Sequence, residues 1–533
     1  MSQSTTTPLM GILKFNTMME RDTIVAEGLC VIKLRGSKER IDTHKIRLDT
    51  TERKNAAKIS FGSRYGLRLP KNYALNKFRI EIDIKEAETW DIQNKLLINY
   101  DERGTGRILY SLKDLTKGRN NNSKIYIRDG LAMYFRQNVY NSMFFTIRDV
   151  NQYDSEEGQK RIDDAYRNAK KHEADNIILM YEKNCSRYEE SASVLYEKLI
   201  DAGYNNVYYI VDKSISAIQT LEEKYKNNII QKDSDKHLEY FFACKKFIST
   251  ETIDHALQLR IANKKAQDKI TGTDLMYVFL QHGVMYMVSL NSGLRVGFRQ
   301  KKKFKLHKTV VSSEVEARHF IEMADMSRED LYITGLAKFD KCYLNEGADR
   351  IVIMPTWRRW ETNQAKHDVR QTGYYKMIER MYKAVPKELK DKVIILPHPL
   401  MAERFADGSE GIGEHVKLAD SYDEVLRDCS LLITDYSSIA YDAFYRGANI
   451  VFCWEEKDEC MQHYGEGAHL MLNSNNAFGR ICMNEGELKK AIKELYLCEQ
   501  DNEHIEKYRK IVEFHDGRNS ERIIECLHRD GMI

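Results

Sequence analysis

Three stretches of the chain carry side chains able to hold a phosphate or move a proton. The first is Leu431-Leu432-Ile433-Thr434-Asp435-Tyr436-Ser437-Ser438-Ile439-Ala440-Tyr441-Asp442, an apolar strand that runs through Asp-Tyr-Ser-Ser into a helix. Ser437 or Ser438 falls at the N-cap, where free backbone N–H groups and the helix dipole favour an anion. The two hydroxyls add donors suited to a diphosphate, although plain helix capping explains the same pattern. The second stretch is Phe279-Leu280-Gln281-His282-Gly283-Val284. A histidine on the bend after a buried strand can be neutral near pH 7 and take a proton from a hydroxyl. Gly283 allows a tight turn and close approach of a substrate. A purely structural histidine is the alternative. The third feature is proline: three of the six, Pro355, Pro397 and Pro399, follow predicted strands directly. Proline ends a strand as the chain turns out. Thr356, Trp357, Arg358 and His398 are thereby placed on one sheet edge, as turn residues or as ligands.

The elements that must position these residues are short buried strands separated by helices. Asn176–Met180, Val207–Val211, Lys245–Thr250 and Met276–Leu280 form one series, with a helix over Ser191–Leu199. Ile351–Met354, Lys392–Leu396, Leu431–Thr434 and Asn449–Phe452 form a second, with helices over 372–384, 421–428 and 438–446. Such a pattern implies parallel sheets covered on both faces. Two α/β lobes in tandem, 176–346 and 347–533, put a ligand cleft at the carboxyl ends of their strands. Residues 1–150 differ. Phe78–Ile84 alternates apolar and charged residues, and Lys124–Arg128 and Met143–Ile147 continue as strands, with turns at Asn120–Asn122 and Asp129–Gly130. This predicts a small antiparallel β domain, a sandwich, followed by a charged helical linker over 151–175.

At 533 residues the chain is too long for one core, and three domains are expected. A net charge of +3 gives no global case for binding a nucleic-acid polymer, so electrostatic arguments must be local. The densest basic run is Phe298–Lys308. Beyond a solvated strip, Arg299–Lys308 would suit an anionic polymer or a peripheral contact with an anionic membrane. The ten cysteines show no CxxC pair, which points to reduced thiols and against structural zinc. The N-terminus lacks the basic start and apolar run of a secretory signal, and no stretch nears the ~18 apolar residues of a spanning helix. A cytoplasmic protein, at most peripheral on the inner face of the cell membrane, is expected. No acidic metal-binding motif stands out, and no cofactor is expected.

In their order and spacing, Gln281-His282-Gly283, Ile333-Thr334-Gly335-Leu336-Ala337-Lys338-Phe339-Asp340, Met354-Pro355-Thr356-Trp357-Arg358, Pro397-His398-Pro399 and Ile433–Ser438 resemble the CDP-glycerol glycerophosphotransferase family of teichoic acid primases and polymerases. The resemblance covers roughly residues 176–500, and 1–150 is similar to an accessory region carried by some polymer synthases. It implies a GT-B architecture with an acceptor-side first lobe and a CDP-donor-binding second lobe. It also implies transfer of a phospho-polyol from a CDP-activated donor to a hydroxyl of a polymer or lipid-linked acceptor, with CMP leaving. By motif position, His282 corresponds to the catalytic base, and His398, also catalytic, to a donor phosphate or nucleotide contact that with Arg358 offsets charge on the leaving group. Gly283, Lys338, Thr356, Arg358, Asp435, Ser437, Ser438 and Asp442 correspond to substrate-binding positions. Asp435 is read as structural or ribose-facing in preference to an ion ligand, and Asp442 matches a family position near the polyol. Val284-Met285-Tyr286 and Leu336-Ala337-Lys338 depart from the usual family continuations. CDP-ribitol therefore stands beside CDP-glycerol, and a capsule beside a wall polymer. A nucleotide-sugar glycosyltransferase and a non-catalytic polymer-binding protein are the rival readings.

Overall fold

A computed structural model describes residues 10–33, 46–48, 57–63, 73–84, 98–100, 108–110, 112–114, 121–122, 124–137, 143–173, 175–215, 217–258, 261–290, 304–398, 412–417, 421–465 and 467–533. The chain divides into two compact units, Met1–Asn168 with Gln258–Thr271, and Ala169–Leu257 with Gly272–Ile533.

The first unit is rich in strands: β1 (Met10–Glu20), β2 (Thr23–Lys33), β3 (Ile46–Leu48), β4 (Ala57–Ser63), β5 (Tyr73–Asp83), β6 (Ile98–Tyr100), β7 (Ile108–Tyr110), β8 (Leu112–Asp114), β9 (Asn121–Asn122), β10 (Tyr126–Arg128), β11 (Leu131–Gln137) and β12 (Met143–Asp149). They form three sheets, β4-β5-β2-β1-β8 with β9 beside β1, β3-β6-β7, and β10-β11-β12. Pairing is antiparallel except where β8 and β9 run parallel to β1. Asn121–Asn122, expected in a turn, instead pairs with Phe15 and Asn16. Asp129 and Gly130 both take positive φ, 49° and 78°, as a tight hairpin turn requires. The expected charged helix spans Glu156–Asn168 and belongs to this unit, as does the Lys264–Ile270 helix.

The second unit holds two parallel sheets. The first lobe comprises β13 (Ile178–Tyr181), β14 (Val207–Val211), β15 (Ile229–Gln231), β16 (Lys246–Ser249), β17 (Met276–Phe279), β18 (Leu306–Val311) and β19 (Leu331–Ile333), in the order β15-β14-β13-β16-β17-β18-β19. The second comprises β20 (Arg350–Ile353), β21 (Val393–Ile395), β22 (Cys429–Thr434), β23 (Asn449–Cys453) and β24 (Arg480–Cys482), in the order β21-β20-β22-β23-β24. All these strands pair in parallel. They are nearly continuous apolar runs because helices cover both faces; β22 and β23 are buried at every position. Two Rossmann-like lobes in tandem are the GT-B architecture expected from the sequence.

Short strands β15, β18, β19 and β24 were not anticipated. Of the basic run, Leu306–Lys308 opens β18, where the sequence predicts no strand. Arg299–Lys303 lies outside the described residues.

Candidate functional site

In a doubly wound sheet the strand order reverses at one point, and loops diverge there to leave a crevice at the carboxyl edge. In the second lobe that point lies between β20 and β22. The loops that follow these strands carry Pro355–Arg358 and Asp435–Ser438, so two of the singled-out stretches share one crevice. One carboxylate ties them. Asp435 Oδ1 accepts the Thr356 N–H (2.9 Å), the Thr356 hydroxyl (2.8 Å) and the Tyr436 N–H (2.6 Å). Trp454 Nε1 donates to the Asp435 carbonyl at 3.0 Å. Asp435 is fully buried, and its Oδ2 has no hydrogen-bond partner among the described residues. Burial pushes its pKa up to about 6, against the pull of these donors and of Arg358.

Ser438 occupies the N-cap of the Ile439–Arg446 helix, yet its side chain makes no capping bond. Ser437 Oγ accepts from Ile439 N at 3.4 Å, a weak bond. The Ser438 hydroxyl is therefore not consumed by its own helix. Arg358 is 5% exposed and already engaged: its guanidinium pairs with Glu456, which also holds Arg380, and lies 3.6 Å from Glu361. Burial works against its charge, while Cys460 and Glu456 hold its pKa above the usual value. It thus ties the loop after β20 to Glu456, which follows β23. The His398 N–H donates to the Tyr374 hydroxyl (3.0 Å), and its ring lies 6.1 Å from that of Trp357. Pro399 lies outside the described residues.

The first lobe repeats the scheme. Its strand order reverses between β13 and β16. After β13, Lys183, Asn184 and Cys185 have φ of 46°, 56° and 65°, three successive left-handed residues other than glycine. Such backbone persists only where surroundings enforce it. Here Glu251, just after β16, accepts the Asn184 N–H at 2.5 Å, His255 Nδ1 meets Asn184 Oδ1 at 2.5 Å, and Lys232 Nζ donates to the Asn184 carbonyl at 2.7 Å. Glu190 pairs with Lys183 at 2.9 Å. In each lobe, then, a carboxylate stitches together the two loops at the switch point.

His282 follows the next strand, β17, behind Gln281 at φ 58°. Its side chain is exposed. Desolvation by the protein around it lowers its pKa below the usual value; Glu190 and Glu251 oppose the shift, and Lys183 and Lys338 reinforce it. An uncharged imidazole at neutral pH results.

The two edges meet. A Cβ added to Gly283 would lie 3.3 Å from Ser438 Oγ and 3.9 Å from Lys338 Nζ. Lys338 Nζ donates to the His282 carbonyl at 3.0 Å and pairs with Asp442 Oδ1 at 2.5 Å. Gly283 and Lys338 of the first lobe thus pack with Ser438 and Asp442 of the second, beside His282. Sequence reasoning missed Glu190, Glu251, Arg380 and Glu456. Glu251 and Glu456 follow strands the sequence did predict, so the strand-end logic applied to the prolines reaches them too. Among the described residues no cluster of three or more His, Cys, Asp or Glu could hold a metal ion, and no helix is long and apolar enough to cross a membrane.

Residues 165–529 match the family described as CDP-Glycerol:Poly(glycerophosphate) glycerophosphotransferase. The chain belongs to that family. It is 25% identical over 369 residues to the minor teichoic acid biosynthesis protein GgaB of Bacillus subtilis (strain 168), a stretch that is 64% of this chain and 38% of GgaB. The chain thus spans well under half the length of that curated relative. Among solved structures, the wall teichoic acid polymerase TagF is similar at 16% identity and a TM-score of 0.49, over 70% of this chain and 93% of that one. HepE of Anabaena, in complex with UDP and glucose, is similar at 11% identity and a TM-score of 0.37, over 66% of this chain and all of that one.

Proposed function

We propose that this glycerophosphotransferase-family chain transfers a glycerol-phosphate or ribitol-phosphate unit from a CDP-activated donor to a hydroxyl of a surface polymer or its primer, releasing CMP. The observation that carries this reading is the junction of His282–Gly283 with Ser438 and Asp442, within a region that matches the family throughout. The donor diphosphate sits over the Ser437–Ser438 helix terminus, where backbone N–H groups and an uncommitted hydroxyl favour negative charge. Thr356 and Asp435 shape this cradle through their mutual hydrogen bonds, and Arg358, engaged by Glu456, holds the loop that carries Thr356. His398 lies on the same edge and offsets charge on the departing CMP. His282, neutral at physiological pH, takes the proton from the acceptor hydroxyl as its oxygen attacks the β-phosphorus. The bond from that phosphorus to the bridging oxygen breaks, and CMP leaves with the electron pair. Positioning and electrostatic stabilisation supply most of the acceleration in such transfers. The protein acts at the cytoplasmic face, and Arg299–Lys308 is a candidate contact with the anionic membrane or polymer. Thermal-shift measurements with CDP-glycerol, CDP-ribitol and UDP-sugars test the donor class. A shift with a CDP-alcohol alone is expected; a shift with UDP-sugars alone would overturn the reading.

A further inference from the structure

Lys338 stands where three segments converge. Its own turn, Ala337–Lys341, is tied down by the Lys338 N–H, which donates to Ser191 Oγ at 3.4 Å. Its side chain is only 10% exposed, and that of Asp442 is 7% exposed. From there Nζ reaches the His282 carbonyl at 3.0 Å and Asp442 Oδ1 at 2.5 Å. An ammonium has three hydrogens and no acceptor, so two of its three donors are spent on protein groups in two lobes. Asp442 lies one helical turn past Ser438, and the bond to His282 is made at the backbone, which leaves the imidazole free. Both partners are shielded from water, so loss of either strands a charge at the junction.

We propose that Lys338 is a positioning residue: it locks the His282–Gly283 turn of the first lobe to the Ile439–Arg446 helix of the second, and so fixes the distance between the proton acceptor and the phosphate cradle. The proposal rests on the phosphotransferase reading of this site, and it takes Lys338 out of direct contact with the donor. Gly283 belongs to the same device. With any side chain there, Ser438 Oγ would have to yield before the lock could close.

Lys338→Met, Lys338→Arg, Asp442→Asn and the Lys338→Met/Asp442→Asn double variant test it, with three readouts. Calorimetry with CDP-glycerol should give a Kd within about twofold of wild type for Lys338→Met, while kcat with a poly(glycerol phosphate) acceptor falls by about 10²-fold, as a misplacement near 1 Å would cause. Lys338→Arg should recover most of that loss, and the double variant should be no slower than Lys338→Met, since both changes break one contact. The acid limb of the pH–rate profile should move up in Lys338→Met. Around His282 that variant leaves Lys183 in place, facing Glu190 and Glu251. A Kd weakened by the same factor as kcat would make Lys338 a donor ligand and overturn the proposal, as would additive effects in the double variant. Hydrogen exchange gives a readout independent of activity: amides 281–285 and 438–442 should exchange faster in Lys338→Met. Unchanged exchange in both segments overturns the lock whatever the kinetics. A wild-type chain that transfers from no CDP-alcohol would instead contradict the reaction, and the exchange result would still decide the lock.

Discussion

At the scale of single residues, two protonation states define the site. His282 is held below the usual histidine pKa by desolvation, with Lys183 and Lys338 reinforcing the shift. The acid limb of kcat/KM should therefore fall below pH ~6.5, the value for a free imidazole. A midpoint above it would mean that another group is the base. Asp435 is the opposite case. Its native carboxyl holds a proton up to about pH 6, whereas an unfolded aspartate loses it near pH ~3.9. The native state thus binds the proton more tightly. The resulting stability is complete below pH ~4 and is lost as pH rises through about 6, a difference on the order of 3 kcal/mol. Asparagine has the same shape, keeps one acceptor oxygen and cannot titrate. The Tm of Asp435→Asn relative to wild type should rise between pH 4 and pH 7; a difference constant with pH would contradict the buried, unpaired carboxylate.

Among the elements, the Ile439–Arg446 helix is the decisive one, because capping and phosphate binding make different demands on Ser438. A capping serine replaced by alanine costs about 1 kcal/mol. Ser438 makes no capping bond, so Ser438→Ala should leave Tm near wild type while weakening CDP-glycerol binding in calorimetry. The reverse result would return Ser438 to plain capping. Most of this element was legible in the sequence: an apolar run burying every residue of β22, then Asp-Tyr-Ser-Ser, then a helix. The three helices predicted in the second lobe also occur, at Gly373–Ala384, Tyr422–Arg427 and Ile439–Arg446. Less legible were three short strands of the two lobes. Ile229–Gln231, Leu331–Ile333 and Arg480–Cys482 are too short to show a period, and neighbouring strands rather than local preference make them extended. Leu306–Val311 was masked by His307, Lys308 and the lysines that precede it, and only Thr309–Val311 is buried. The left-handed run Lys183–Cys185 could not be read at all. Lysine and cysteine carry no signal for positive φ, and the conformation comes from Glu251, His255 and Lys232, distant in sequence.

Across the whole second unit, the family-like segments hold the two lobes together as well as lining the cleft. In Thr334–Asp340, Gly335 adopts φ 79°, and a Cβ there would lie 2.2 Å from Asn519 Oδ1. Asp340 accepts the Asn519 and Ser520 N–H groups at 2.8 and 2.7 Å, capping the helix Asn519–Arg529. The chain's last helix thereby returns from the second lobe to dock on the first. Tyr332 repeats the link with a 2.7 Å bond to Asp530, and Ser312 Oγ donates to the Ile511 carbonyl at 2.7 Å. Nearer the cleft, the Ser289 N–H donates to the His469 carbonyl and the Met471 N–H to the Met287 carbonyl, both at 2.9 Å. Gly335→Ala must strain its backbone and displace Asn519, so we expect a loss on the order of 2 kcal/mol or more, read as a lowered Tm in calorimetry. An unchanged Tm would show that the last helix is not seated this way. Because the cleft forms between lobes linked at several points, the reaction we infer depends on their joint placement. The most direct test is CMP release from CDP-glycerol in the presence of a poly(glycerol phosphate) acceptor, comparing wild type with His282→Ala. The wild type should release CMP with chain extension, and His282→Ala should turn over about 10²–10⁴-fold more slowly while binding CDP-glycerol as tightly. Wild-type turnover in His282→Ala would contradict the account.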